Sequence, residues 1–342
     1  MARKRKNPAD NALPPRVYRG KSKYEFHPPG GGAISLCALD SPIPLIWDKY
    51  NAANNYQEAT KFTLDRMIHR FMQSPDFLDL AMETQRDYRK YAVKISAVFG
   101  VMRPDSVKPE DVRAFMDRRG MKSKTQANRE KTFMSRVYRW GYERGLCKSN
   151  PCSGVKQFKE TARDRYINDE EYSALLSVSP AVVRAAMEIA YLCLARQGDV
   201  LALTEQQILD AGIYIAQGKT GKRQIKAWTP RLRAAVSLAR SLPLEPGFSS
   251  IYVLKQPRGQ RYTRDGFNSR WRKAKAAARA AFPHLNFDFT FHDLKAKGVS
   301  DLDGTLAEKQ EISGHMTISQ TARYDRKIQI VPVVGGQNKK PK

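Results

Sequence analysis

The sequence predicts a multidomain, mainly α-helical fold with small β elements. Three observations carry that expectation. The chain has 342 residues, more than one ordinary domain, and a polar, charged run over 156–165 divides it. Apolar residues recur near helical spacing through residues 56–151. Short alternating runs flank glycine-rich turns near the start and again over residues 212–228. Apolar side chains make up 41% of the chain, enough to build several cores.

Residues 1–23 carry eight Lys or Arg, Arg16 and Arg19 among them, against one acid, Asp10. Leu13-Pro-Pro-Arg-Val-Tyr18, Lys23-Tyr-Glu-Phe26 and Ala33-Ile-Ser-Leu36 read as short strands, the last two separated by Pro28-Pro-Gly-Gly-Gly32. A basic arm and a small sheet are therefore expected within residues 1–55. Residues 56–155 are expected to form a helical bundle, with Phe62, Met67 and Phe71 on one helix and Tyr88, Tyr91, Val93 and Val98 on another. Lys108-Pro-Glu-Asp opens a third, because proline suits a first turn and acids oppose the positive end of the helix dipole. A longer helix should run from about Ser123 to Arg144. Lys122, Lys124, Arg129 and Lys131 make its first half basic.

After the linker at 156–165, a mixed α/β domain is expected over residues 166–330, then a tail at 331–342. Asn168-Asp-Glu-Glu171 is a capped helix start, and residues 181–195 are so apolar that their helix must be buried. Gly212–Gln217 and Arg223–Trp228 alternate around Gly218-Lys-Thr-Gly-Lys222, which predicts a hairpin. Thr229-Pro230 starts a helix, Ile251-Tyr-Val253 reads as a short strand, and helices should dominate from Thr263.

The net charge of +26 narrows the partners. A surface this basic attracts a polyanion through phosphate contacts and counterion release. Several cores and no long basic amphipathic helix favour nucleic acid over an anionic membrane surface or a ribosomal role. No run of about 18 apolar residues suggests a membrane span. Met1-Ala-Arg-Lys-Arg-Lys leads into Asn7-Pro-Ala-Asp and not into an apolar signal core, so the cytoplasm is the expected location. Cys37, Cys147, Cys152 and Cys193 lack metal-ligand pairing and are expected to be reduced packing residues. No Walker A motif or acidic metal cluster is present in the sequence, so neither cofactor nor metal is expected.

The last 150 positions hold a dispersed set of chemical groups: Arg196, Lys219, His292, Lys295, His315 and Tyr324. Arginine, lysine and two histidines can surround a phosphate, a mobile turn lysine can protonate a leaving oxygen, and a tyrosine can attack phosphorus. Each residue also has a plainer explanation. Arg196 could pair with Asp199, Lys219 could be a solvated turn tip, and His292 a satisfied core histidine. His315 could cap a helix, and Tyr324 is one of fifteen tyrosines. Lys222 competes with Lys219 for the acid's role.

In the blocks Ala-Arg-Gln-Gly-Asp (195–199), Lys-Thr-Gly-Lys (219–222), His-Asp-Leu-Lys (292–295), Ser-Gly-His (313–315) and Arg-Tyr-Asp-Arg (323–326), the chain resembles the tyrosine recombinases of the phage integrase family. The Leu-Pro-Pro opening and aromatic strand are similar to the arm-type DNA-binding domain of lambda-like members. Lys295 departs from the family, which normally has arginine there; a lysine supplies charge without a bidentate fork. The resemblance implies cleavage of DNA through a 3′-phosphotyrosyl bond at Tyr324, with Lys219 protonating the 5′ hydroxyl as it leaves. It assigns Arg196, Lys295, His292 and His315 to the phosphate, Asp199 to support, and Arg16, Arg19, Lys124, Arg129, Lys131, Lys222, Arg323 and Arg326 to DNA. It further implies core and arm-type duplex sites, a homotetramer, accessory DNA-bending proteins, no cofactor, and action in a bacterial host at the nucleoid. A topoisomerase-like relaxing enzyme and a DNA-binding regulator with a decayed site are the alternatives.

Overall fold

The computed structural model describes residues 8–29, 31–218, 220–328, 331, 333 and 334. They fall into two compact units, Met1–Thr161 and Ala162–Lys342. Residues 1–7, Lys219 and most of the tail over 331–342 lie outside the described residues.

The first unit opens with an antiparallel sheet of β1 (Val17–Arg19), β2 (Lys23–Phe26) and β3 (Ile34–Ala38). Alternation places Tyr24 and Phe26 on one face, where they bury with Leu13, Val17 and Ile46. Ile46 comes from α1 (Ile43–Lys61), a helix the sequence reading did not anticipate and which continues through residue 55. Its Trp47 donates from Nε1 to the carbonyl of Ala12 at 3.0 Å, tying the helix to the segment that precedes β1. Arg16 is exposed just before β1, while Arg19 is held by Asp10 at 2.8 Å.

The helices that follow are α2 (Leu64–Met72), α3 (Pro75–Leu78), α4 (Met82–Phe99), α5 (Pro109–Gly120) and α6 (Lys124–Tyr142). They enclose a separate core of Phe71, Phe77, Phe133, Val137 and Tyr138, with Cys147 and Cys152 packed into it. Ser123 caps α6 by accepting from the Gln126 amide at 3.3 Å, and α6 packs against α2, α4 and α5. Lys124 and Arg129 are exposed, and Lys131 is half-buried. A groove beside α6 is lined by Tyr88, Lys131, Arg136, Arg139 and Trp140, so cations and aromatic rings share one surface.

In the second unit α7 (Asp169–Val178) starts at a reciprocal cap: Glu171 N donates to Asn168 Oδ1 at 2.7 Å, and Asn168 N to Glu171 Oε2 at 3.1 Å. The apolar helix α8 (Ala181–Leu192) runs through the core and is followed by the short α9 (Gln197–Leu201). A second antiparallel sheet holds β4 (Ile208–Leu209), β5 (Gly212–Ala216) and β6 (Arg223–Ala227). Then come α10 (Pro230–Arg240), α11 (Arg264–Ala281), α12 (Asp293–Asp301), α13 (Leu306–Ser313) and α14 (Ile318–Tyr324). Ile251-Tyr-Val253, expected as a strand, makes only an isolated bridge from Tyr252 to Thr204. The Ser250 hydroxyl bonds both the amide and the carbonyl of Tyr252 and bends the chain there. Gly298 lets α12 lie close on α8, since a Cβ would collide with Leu194 and the Tyr191 carbonyl. Among the described residues no helix is long and apolar enough to cross a membrane.

Candidate active site

Arg196 does not end the long apolar helix, as its sequence position suggested. α8 stops at Leu192, Leu194 takes a left-handed φ of 53°, and Arg196 becomes the N-cap of α9. A leucine at positive φ costs energy that the surrounding packing must hold. The turn brings Arg196 to the hairpin, where its Nη1 donates to Gln217 Oε1 at 2.6 Å. Its Nη2 is buried and has no partner among the described residues. Asp199, in the first turn of α9, accepts from the Gly218 amide at 3.1 Å, so it braces the hairpin and not the arginine.

His292 is the N-cap of α12, and Lys295 lies in its first turn with 1% of its surface exposed. The Lys295 ammonium sees one described acceptor, the Ser313 carbonyl at 3.3 Å. α13 ends at Gly314, whose φ of 67° suits glycine, and a Cβ there would collide with the Gln217 amide. The next residue is His315, 1% exposed, with Nδ1 3.2 Å from Thr321 Oγ1 and Nε2 without a partner among the described residues. Tyr324 closes α14. Its hydroxyl is 2.7 Å from His292 Nε2, and its ring lies 4.6 Å from that of His315.

Arg196, His292, Lys295, His315 and Tyr324 are thus brought together from three helices, α9, α12 and α14, and the loop between α13 and α14. Lys219 lies outside the described residues. Lys222 is half-buried on the far side of the turn, its carbonyl accepting from the Gln217 amide at 2.9 Å. Arg323 is exposed on the last turn of α14. Arg326 has a different occupation from the phosphate contact expected of it: Nη1 donates to buried Asp293 at 2.6 Å and to the Arg165 carbonyl at 3.0 Å.

Burial first, and then the crowding of positive groups, sets the electrostatics. Burial, then Arg196 and Lys226, pull the Lys295 pKa down to about 7, with Asp199 opposing. Burial, then Lys295, Arg196 and His292, bring His315 down to about 3, so it is neutral. His292 is also lowered, by desolvation first and by Lys295 and Arg196, against the pull of Asp293. Burial raises the Tyr324 phenol, while Arg196 and Arg326 lower it. These groups repel one another, and a bound anion would relieve that repulsion.

Five residues that hold the site were not singled out in the sequence. Gln217 and Ser313 have just been described. Lys226 donates to the Ile312 carbonyl and is lowered to about 8, chiefly by burial. Asp293 anchors Arg326. The Ser300 hydroxyl accepts from the Arg326 amide at 2.7 Å and donates to the Tyr324 carbonyl at 3.0 Å, fixing the chain beyond the tyrosine. Gln217, Asp293 and Ser313 lie within or beside the quoted blocks, and that adjacency was the only signal. Among the described residues no group of three or more His, Cys, Asp or Glu could hold a metal ion.

Residues 165–329 match the model of the phage integrase family. The integrase of Escherichia phage HK022 is 26% identical over 198 residues, 55% of this chain and 54% of that protein. The integrase of Enterobacteria phage 434 is 23% identical over 201 residues, 56% and 55% respectively. The chain spans about half the length of these curated relatives. Among solved structures, a lambda integrase dimer bound to a COC′ core site is similar with TM-score 0.69 at 16% identity, over 97% of this chain and 100% of that one. A lambda integrase tetramer bound to a Holliday junction is similar with TM-score 0.65 at 17% identity, over 90% and 97%. The fold is shared with these proteins.

Proposed function

We propose that this chain, which carries a phage integrase family domain over residues 165–329, is a tyrosine-type site-specific DNA recombinase. One observation carries the reading. Two buried nitrogens without a partner among the described residues, Arg196 Nη2 and His315 Nε2, accompany Lys295 around a tyrosine whose hydroxyl is held by a histidine. A phosphate diester supplies the missing acceptors and the missing negative charge in one group.

The chemistry is then a phosphoryl transfer. His292 Nε2 takes the phenol proton as the Tyr324 oxygen attacks phosphorus, and the bond from phosphorus to the 5′ oxygen breaks. Lys219 gives that oxygen a proton, and the DNA is left with a free 5′ hydroxyl and a 3′-phosphotyrosyl bond. Arg196, Lys295 and His315 stabilise the charge on five-coordinate phosphorus. Attack by another strand's 5′ hydroxyl on the ester reverses the step onto a new partner, which yields integration or excision.

The N-terminal sheet with Arg16 is proposed to bind arm-type sites, and the basic face of α6 with Lys124, Arg129 and Lys131 to bind core DNA. The similar lambda integrase structures are a dimer bound to a COC′ core site and a tetramer bound to a Holliday junction, and a homotetramer on DNA is proposed here by that likeness. Action in the cytoplasm of a bacterial host, at its nucleoid and with accessory DNA-bending proteins, belongs to the same proposal.

The test is covalent capture. The chain is incubated with a pool of nicked duplexes randomised across the core, denatured in detergent, and the attached DNA is sequenced. Enrichment of one sequence, attached through Tyr324, supports the reading. Absence of any adduct refutes it, and relaxation of supercoiled DNA without sequence preference would replace it with a relaxing enzyme.

A further inference from the structure

Gln217 is 4% exposed and stands where three parts of the site meet. Its Oε1 accepts from Arg196 Nη1 at 2.6 Å and from the Thr220 hydroxyl at 3.1 Å. Its Nε2 donates to the Ser313 carbonyl at 3.0 Å, two residues before His315. Its main-chain carbonyl receives the amides of Thr220 at 3.2 Å and Gly221 at 2.8 Å, which shapes the connection between β5 and β6. No other residue described bonds at once to the arginine, the α13 end and the hairpin.

We propose that Gln217 is a positioning residue that aims the Arg196 fork. By occupying Nη1 it leaves Nη2 as the arginine's unpartnered edge. A guanidinium is planar, so fixing one nitrogen and the plane fixes where the other points. The neutral amide matters as much as its reach. A carboxylate at 217 would accept the same bond but would offset the charge that the phosphate needs, whereas an amide leaves that charge whole. The bond from Nε2 to Ser313 sets the amide's orientation, because the oxygen must then face Arg196. Gly314 makes room for it: a Cβ there would strike the Gln217 amide.

This inference rests on the recombinase reading for its rates but not for its geometry, and the experiment has one arm for each. In the first arm, single-turnover cleavage by Gln217→Met is measured on the nicked duplex recovered by covalent capture. Methionine keeps length and apolar bulk and removes the bonds. The expected result is a rate lower by up to about 10²-fold at saturating DNA, with DNA affinity unchanged. The loss should be equal on a substrate with a bridging 5′ sulfur, because the defect lies at the phosphate and not at the leaving group. Gln217→Glu should not rescue it.

In the second arm, NMR of the full chain without DNA follows the Arg196 guanidinium. Hindered rotation about its Cζ–Nη bonds is expected in the wild type and free rotation in Gln217→Met. Wild-type cleavage by the Met variant, or the same hindered rotation in both proteins, overturns the proposal. Full rescue by Gln217→Glu overturns the role given to neutrality. If the wild type forms no adduct but the rotation differs as expected, the recombinase reading falls and the aiming of Arg196 stands.

Discussion

The Nε2 atom of His292 lies 2.7 Å from the hydroxyl of Tyr324. The sequence placed both residues near a phosphate without pairing them. In the tautomer with its proton on Nδ1, a neutral His292 accepts the phenol proton, and desolvation together with Lys295 and Arg196 keeps that histidine neutral. Tyr324→Phe should therefore abolish covalent adduct while DNA affinity stays near wild type. His292→Ala should keep the adduct but form it about 10²–10⁴-fold more slowly. Equal rates for His292→Ala and wild type in single-turnover cleavage would remove the histidine from proton transfer.

Lys295 should make activity sensitive to pH. Its folded pKa, about 7, lies below the ordinary 10.5, so the folded protein sheds this proton first. At subsaturating DNA the cleavage rate should fall by up to about tenfold per pH unit above pH 7 as the charge is lost. Stability runs the other way. Between about pH 7 and 10.5 the unfolded chain binds more protons, so stability rises with pH across that window. Lys295→Met should flatten both dependences, measured by cleavage and by urea unfolding. A slope unchanged in the mutant would assign it to another group.

For Lys219 the informative variable is the leaving group. Lys219→Ala should cleave ordinary DNA about 10²–10⁴-fold slowly and recover on a substrate whose bridging 5′ oxygen is replaced by sulfur. Sulfur leaves without needing a proton. The same recovery in Lys222→Ala, with Lys219→Ala unaffected, would transfer the role to Lys222.

Arg326 and Arg323 should separate by phenotype. Arg326 is the close partner of buried Asp293, and its loss leaves that carboxylate only the half-exposed Arg163 at 3.7 Å and its bonds from Thr290. Arg326→Ala should cost about 3–5 kcal/mol of stability in denaturant unfolding. Arg323→Ala, at an exposed position, should leave stability unchanged and weaken DNA binding. Equal stability of the two variants would show that the Asp293 pair is not held as described.

Binding by the whole chain should be strongly salt-dependent. With ~6–10 phosphates contacted, affinity should fall by orders of magnitude over a roughly fourfold rise in salt. Removing residues 1–55 should abolish binding to isolated arm-type duplexes and spare cleavage at the core. A truncated chain that still binds those duplexes refutes the arm assignment.

Much of this protein was local and therefore legible in the sequence. Alternation at Tyr24 and Phe26, the Asn168–Glu171 cap and the Gly218–Lys222 turn act over a few residues, so their elements could be read directly. The start of α6 was equally plain, because Ser123 satisfies an amide three residues on. Helix α1 was not, since its buried face is set by a sheet that precedes it, through Ile46 and Trp47. In the site the sequence supplied the chemical types, and the fold chose their partners. Arg196 had an acid three residues away in Asp199, yet it bonds Gln217, which is 21 residues away. Arg326 looked like a phosphate ligand but faces Asp293, 33 residues distant. Burial and the company of other cations, which lower Lys295, arise only when α9, α12 and the α13 end converge. Periodicity and capping are near-neighbour effects, whereas hydrogen-bond choice and pKa depend on which distant groups the packed core brings within reach.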